Sequence, residues 1–251
     1  MRNSVTCVFV HGWAMNSAVW EESIAQLPAW INVIVADLPG HGSMAGVRVS
    51  SLDGYVQALV SLVHRPAIWI GWSLGGLAVL RLAELYPQRV ASALLVATNP
   101  CFVSRPDWQC AVDAAVFNQF AYELSQNQER TIRRFLALQV KGLPDVMNLV
   151  RQLQKSIQLR GQASTHALTS GLQILLETDL RKTIKSVECP LYWLLGGKDS
   201  LVPSGLAQVL SDSYAQKNVL MNSQASHAPF ISHRDSFIKQ LLDLSEQVRG
   251  S

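Results

Sequence analysis

Ala67-Ile68-Trp69-Ile70-Gly71-Trp72-Ser73-Leu74-Gly75-Gly76 is the stretch on which the fold turns. Ala67–Ile70 is a short apolar run after Pro66 and reads as a buried strand. From Leu74 the apolar residues follow a helical pattern as far as Tyr86, where Pro87 stops it. Between strand and helix, Gly71-Trp72-Ser73-Leu74-Gly75 matches Gly-x-Ser-x-Gly in the strand–turn–helix setting that gives the pattern meaning. A nucleophilic serine needs a sharp turn that exposes its Oγ in a strained backbone conformation. Side chains at positions 71 and 75 would collide with the neighbouring strand and helix, so both are glycine. The helix that follows aims its first amides at the reaction centre.

Working outward, the same alternation recurs on both sides. Val5–Val10, Val33–Ala36 and Ala93–Ala97 are further strand-like runs, and Pro190–Leu195 and Val219–Met221 resume the pattern near the end. Helical spacing runs from Ser51-Leu52 to His64 and from Asp235 to Val248. Strands alternating with helices predict an α/β fold with a mostly parallel sheet and right-handed crossovers. From about 113 to 180 no strand pattern exists; four helices are expected over about 113–126, 128–141, 145–159 and 165–177. The organisation read from this is an α/β core of 1–100 plus 186–251 and an all-helical cap over 101–185, inserted after the fourth strand-like run. The chain shows no internal repeat and no low-complexity segment.

Composition narrows the function classes. The 251 residues are 49% apolar and 16% charged, a balance opposite to that of disordered chains. No apolar run approaches the roughly 18–20 residues of a membrane span. Arg2 and the run Val5–Val10 lead straight into His-Gly-Trp with no cleavage signal, so the start reads as a strand and not a secretory leader. A cytoplasmic protein is the expectation. A net charge of +3 does not by itself suggest a nucleic-acid binder. The four cysteines, Cys7, Cys101, Cys110 and Cys189, form no Cys-x-x-Cys and read as buried reduced thiols, with a Cys101–Cys110 disulfide as the alternative.

A serine hydroxyl needs a base, and the base needs a third group to orient it. On this fold the chain order is serine, acid, histidine. Asp199, in Gly196-Gly197-Lys198-Asp199-Ser200, lies just past a strand's C-terminal end, where open α/β sheets place their sites. His227 follows in a loop after the last strand-like run and is the candidate base; His233 is the alternative. An oxyanion hole needs two convergent N–H donors: Leu74, next to the nucleophile, and Trp13, in the loop after the first strand. His11 is expected to brace that loop. Asp37-Leu38-Pro39-Gly40-His41-Gly42 reads as a structural turn, and a metal site from His11, Asp37 and His41 is not favoured. Gly196-Gly197-Lys198 lacks the phosphate-loop frame. No metal or other cofactor is expected.

Together these elements resemble the α/β-hydrolase family, with its His-Gly, Asp-x-x-Gly-x-Gly, Gly-x-Ser-x-Gly-Gly, Gly-x-x-Asp and terminal His motifs in order. The match covers nearly the whole chain. Trp13, Gly71–Gly76, Asn99-Pro100-Cys101-Phe102, Arg134–Gln139 and His227–His233 are similar to the branch formed by the pimeloyl-[acyl-carrier protein] methyl ester esterases of biotin synthesis. The resemblance implies hydrolysis of a methyl ester at the free end of a pimeloyl chain held on acyl carrier protein. It implies that Trp13, Leu74, Phe135, Leu136, Ala137, Leu138 and Gln139 line the acyl site, and that Arg130, Arg134 and Arg151 dock the carrier. Two departures stand out: one or two leading strands are expected to be short or missing, and Met147 stands where a further arginine is expected. Other readings with the same triad are a broad carboxylesterase, a lactonase or a C–C bond hydrolase; a more remote one is a non-catalytic receptor.

Charge supports the partner independently. Residues 101–185 hold eleven basic and seven acidic residues, a net +4, against −1 for the rest of the chain. Arg130, Arg134 and Lys141 recur at helical spacing, as do Arg151 and Lys155. These residues form either a solvated helix face or a docking surface for an acidic carrier protein; no nucleic-acid partner is expected. A monomer that touches no membrane is expected.

Overall fold

The computed structural model describes residues 4–216 and 218–250; Arg2 lies outside them. The strands are β1 (Val5–Val10), β2 (Ile31–Ala36), β3 (Ala67–Trp72), β4 (Val90–Val96), β5 (Leu191–Gly196) and β6 (Val219–Asn222). The helices are α1 (Glu21–Ile24), α2 (Leu52–Val60), α3 (Leu74–Leu85), α4 (Ala114–Gln126), α5 (Gln128–Gln139), α6 (Val146–Arg160), α7 (Thr165–Glu177), α8 (Thr183–Ser186), α9 (Gly205–Tyr214), α10 (Pro229–Ser232) and α11 (Arg234–Gly250).

The six strands form one sheet in the order β2-β1-β3-β4-β5-β6, every pairing parallel. Both faces of such a sheet are covered, which is why its inner strands are nearly continuous apolar runs. All of β3 is buried, and so are Cys7–Val10 of β1 and Ser92–Val96 of β4. The edge strand β6 is half-exposed. The chain runs from β1 outward to β2 and returns to β3 on β1's other side, so the order reverses between β1 and β3. The loops that leave the C-terminal ends of these two strands carry Trp13 and Ser73, and a crevice is expected at such a switch point.

Four of the helices start where the sequence supplies an N-cap. Ser51 accepts a hydrogen bond from the Gly54 amide, Asp113 from Ala115, Asn127 from Arg130 and Ser164 from Ala167. Helix α2 stops at Val60, short of the expected His64. The Leu62 amide closes a tight turn onto the Leu59 carbonyl at 3.0 Å, and Pro66 biases Arg65 away from helix before β3 begins.

Between β4 and β5 the helices begin only at Ala114. Residues 101–112 are extended and turned instead, with Val103 bridged to Val112 and Arg105 to Trp108. The Trp108 indole donates to the Cys101 carbonyl at 2.9 Å. Cys101 and Cys110 lie in this segment as free buried thiols, so the alternative disulfide is not formed. Among the described residues no helix is long and apolar enough to cross a membrane.

Candidate active site

Ser73 terminates β3 with φ 54° and ψ −117°, a conformation that L-residues rarely adopt. The strain is imposed from both sides. A Cβ on Gly71 would lie 2.6 Å from the Gly75 carbonyl oxygen, and one on Gly75 only 2.4 Å from that of His11. The turn is therefore wedged between its own helix and the end of β1, as expected from the motif. The Ser73 amide is held by the Val96 carbonyl of β4 at 2.9 Å.

Asp199 and His227 come together although 28 residues apart. His227 Nδ1 lies 2.8 Å from Asp199 Oδ2, and both side chains are fully buried. The other carboxylate oxygen, Oδ1, accepts the amides of Leu201 at 2.8 Å and Val202 at 3.0 Å. With the carboxylate as acceptor, Nδ1 carries the proton and Nε2 keeps its lone pair. Nε2 is buried and has no hydrogen-bond partner among the described residues. His227 lies against Trp72, the residue before Ser73, with ring centroids 5.9 Å apart. His233 takes no part in this pair: it bonds Ser232 Oγ at 2.9 Å, and burial together with the charge of Lys198 pushes its pKa down.

Trp13 is buried after β1, and its side chain is tied to two helices from the segment between β4 and β5. Its indole N–H donates to the Leu168 carbonyl of α7 at 2.8 Å, and its ring meets Phe135 of α5 edge-on at 4.7 Å. Gly171 of α7 packs so closely that a Cβ there would lie 2.6 Å from the Trp13 ring. No protein acceptor takes the main-chain amide of Trp13 or of Leu74 among the described residues, which leaves both free to donate.

The five expected acyl-site residues of α5 separate. Phe135 reaches Trp13, and Gln139 is buried with its Oε1 unpartnered among the described residues. Leu136 faces a cavity of about 250 Å³ between α5 and α6, lined also by Ile132, Gln154 and Ile157. Leu138 is half-buried. Ala137 is exposed, because two residues past Phe135 the helix has turned by about 200°; the structure does not bring it to the site.

Arg130 and Arg134 line one groove with Tyr122, which is 63% exposed. Arg134 is also engaged by the carboxylate of Glu123 and lies 5.3 Å above the Phe120 ring. Arg151 is exposed on α6, one turn beyond Met147, which is 66% exposed.

His11 braces its loop. Its Nε2 accepts the Leu38 amide at 3.0 Å, and Nδ1 donates to the Gly12 carbonyl at 2.8 Å. Burial holds its pKa down, against the Gly12 bond and the charge of Asp37. Asp37 is engaged by the Ser17 and Ser43 amides and the Ser43 hydroxyl; burial would raise its pKa, but these bonds hold it below the usual carboxylate range. Sequence reasoning missed two main-chain contacts on His227. Its amide donates to the Gln139 carbonyl at 3.0 Å, and its carbonyl accepts the Trp72 indole N–H at 2.8 Å. No residue-type signal could have revealed the first, since every residue carries a carbonyl.

Comparison with known proteins bears on this geometry. The sequence profile of the alpha/beta hydrolase family matches residues 7–240. The chain is 35% identical over 241 residues to the pimeloyl-[acyl-carrier protein] methyl ester esterase of Klebsiella pneumoniae, covering 96% of this chain and 93% of that one. It is 38% identical over 237 residues to the protein of the same name from Xylella fastidiosa, covering 93% and 92%. Among solved structures, an esterase from Exiguobacterium antarcticum superposes with a TM-score of 0.87 at 18% identity, covering 98% of this chain and 93% of that one. That last likeness speaks for the fold alone.

Proposed function

We propose a serine esterase mechanism for this chain, which belongs to the alpha/beta hydrolase family and, within it, to the pimeloyl-[acyl-carrier protein] methyl ester esterases. The observation that carries the reading is the buried His227–Asp199 pair, with Nε2 of His227 left bare beside the strand that ends in the strained Ser73. His227 Nε2 takes the proton from Ser73 Oγ as that oxygen attacks the ester carbonyl. Asp199 keeps Nδ1 protonated and stabilises the imidazolium. The amides of Leu74 and Trp13 receive the negative oxygen; a donor of this kind is worth about 10²–10³-fold in rate. The C–O bond to the methoxy group breaks, and His227 returns the proton so that methanol leaves. Water, deprotonated by the same imidazole, then hydrolyses the acyl-enzyme.

The substrate in this reading is the methyl ester of a pimeloyl chain on acyl carrier protein, and the product is the free carboxylate on the same carrier. Trp13, Leu74, Phe135 and Gln139 contact the acyl chain, while Arg130, Arg134 and Arg151 meet the acidic carrier. Residues 101–185 act as a cap on a core of 1–100 and 186–251. The enzyme works as a monomer in the cytoplasm. The test is a side-by-side assay of pimeloyl methyl ester, free and carrier-bound, with Ser73→Ala as control. Methanol release that Ser73→Ala abolishes, and that is faster on the carrier-bound ester, is the expected result. Release by Ser73→Ala at the unaltered rate overturns it.

A further inference from the structure

The backbone of His227 is gripped from two sides. Its N–H donates to the Gln139 carbonyl of α5 at 3.0 Å, and its C=O accepts the Trp72 indole N–H at 2.8 Å. The two grips belong to different parts of the molecule. Trp72 is the last residue of β3, directly before Ser73, and its ring is fully buried against Phe230 at 4.9 Å and Trp20 at 6.5 Å. Gln139 ends α5, the helix that also carries Phe135 against Trp13. The last four carbonyls of a helix lack intrahelical partners, and here one of them is spent on the base. Among the described residues the His227 amide has no second acceptor in the sheet.

We propose that α5 and Trp72 form a clamp that makes His227 an effective base only while α5 is seated on the core. Trp72 is a positioning residue, and the Gln139 main chain is its counterpart across the site. When α5 is seated, the imidazole is fixed on Asp199 with Nε2 free. When α5 lifts away, the amide of His227 loses its acceptor; the ring keeps its bond to Asp199 and the carbonyl its bond to the indole. The nearest main-chain tie before it is two residues back, where the Ala225 carbonyl accepts the Lys198 amide at 2.9 Å. Substrate entry and base alignment are thereby coupled in one helix. The inference rests on His227 acting as the base, but not on which ester is cleaved.

Trp72→Phe keeps an aromatic ring in the pocket and removes the donor. Its kcat on a small p-nitrophenyl ester is expected to fall by about 10–100-fold with KM within about twofold, since a displaced base lowers kcat without removing binding contacts. The proton on His227 Nδ1, shared with Asp199, gives a second readout by NMR that depends on no substrate. In Trp72→Phe that resonance is expected to broaden through faster exchange with solvent. Gln139→Gly and Gln139→Ala test the other grip: glycine loosens the last helical turn relative to alanine, so the resonance broadens in Gln139→Gly and stays sharp in Gln139→Ala. An unchanged kcat and a sharp resonance in Trp72→Phe overturn the proposal. Should Trp72→Phe not fold, equal spectra for the two Gln139 variants overturn it alone. Loss of the resonance together with intact hydrolysis of the carrier-bound ester overturns the clamp but not the esterase reading.

Discussion

Asp199 gives its two oxygens different work. Oδ1 holds the turn by accepting the amides of Leu201 and Val202, and Oδ2 receives the His227 Nδ1 proton. Asp199→Asn separates these tasks. An amide can still accept the two backbone bonds through its oxygen, so the turn is expected to survive. Its NH₂ group then faces Nδ1, which must become the acceptor, and the ring proton moves to Nε2, where it blocks the base. By analogy with the same change in other triads, kcat is expected to fall about 10⁴-fold with the melting temperature nearly unchanged. Single-turnover kinetics and a thermal melt on the same sample check this. A loss smaller than tenfold would show that Asp199 does not set the tautomer of His227. The Asp199–His227 pair and the strained turn at Ser73 were legible in the sequence because each chemistry demands a residue type at a fixed place in the chain order. The clamp on His227 was not, since it runs through a main-chain carbonyl and through a tryptophan that reads equally well as core.

At the scale of elements, the strands were legible because burial on both faces of a parallel sheet forces apolar runs. The capped helices were legible because Ser51, Asp113, Asn127 and Ser164 precede them. Helix α9 escaped notice: its ten residues bury chiefly Leu206 and Leu210, too few to stamp a helical period on the sequence. The turn after β2 shows what an element holds beyond its shape. His41 is packed 5.0 Å from His11, and burial, reinforced by the charge of that neighbour, pushes its pKa down to about 3. His11 is shifted down as well, by burial first. Both rings are neutral in the folded protein, while the unfolded chain protonates them below about pH 6.5. Their folded pKa values are depressed, so the stability they permit is complete above about pH 6.5. It is lost as pH falls, by up to about 1.4 kcal/mol per pH unit for each ring, until the folded pKa is reached. Asp37 adds its own loss only at lower pH, as pH falls from the ordinary carboxylate range through its depressed folded pKa. His41→Gln removes one of the two titrations. Its loss of unfolding free energy between pH 6.5 and 5 is expected to be about 2 kcal/mol smaller than that of the parent chain. Urea titrations at the two pH values measure the difference, and equal losses would remove His41 from the account.

At the scale of the whole molecule, the near-neutral balance of +3 conceals a polarised chain, with +4 on residues 101–185 and −1 on the rest. The structure refines where that charge is free to act. Arg133 is paired with Glu129, Arg134 with Glu123, Arg160 with Glu21 and Arg181 with Asp107 and Asp179. Exposed pairs of this kind contribute little to stability, but they cancel most of the field of the arginines they hold. The sequence could not reveal this, since Glu123 and Arg134 lie on different helices. Arg130, Lys141, Arg151 and Lys155 have no carboxylate within salt-bridge distance among the described residues, so under the proposed function they are among the cations left to attract an acidic carrier. Steering by such charges raises the encounter rate and is screened once the Debye length shrinks to about 10 Å or less. Between about 0.02 and about 0.5 M salt, kcat/KM on the carrier-bound ester is expected to fall about tenfold. A small neutral ester should change less than about twofold over the same range. Arg130→Glu should lower kcat/KM for the carrier-bound ester at low salt and flatten its salt dependence. Arg134→Ala should flatten it less, because that guanidinium is already paired. Parallel salt profiles for the two esters would show that this basic surface does not meet the carrier.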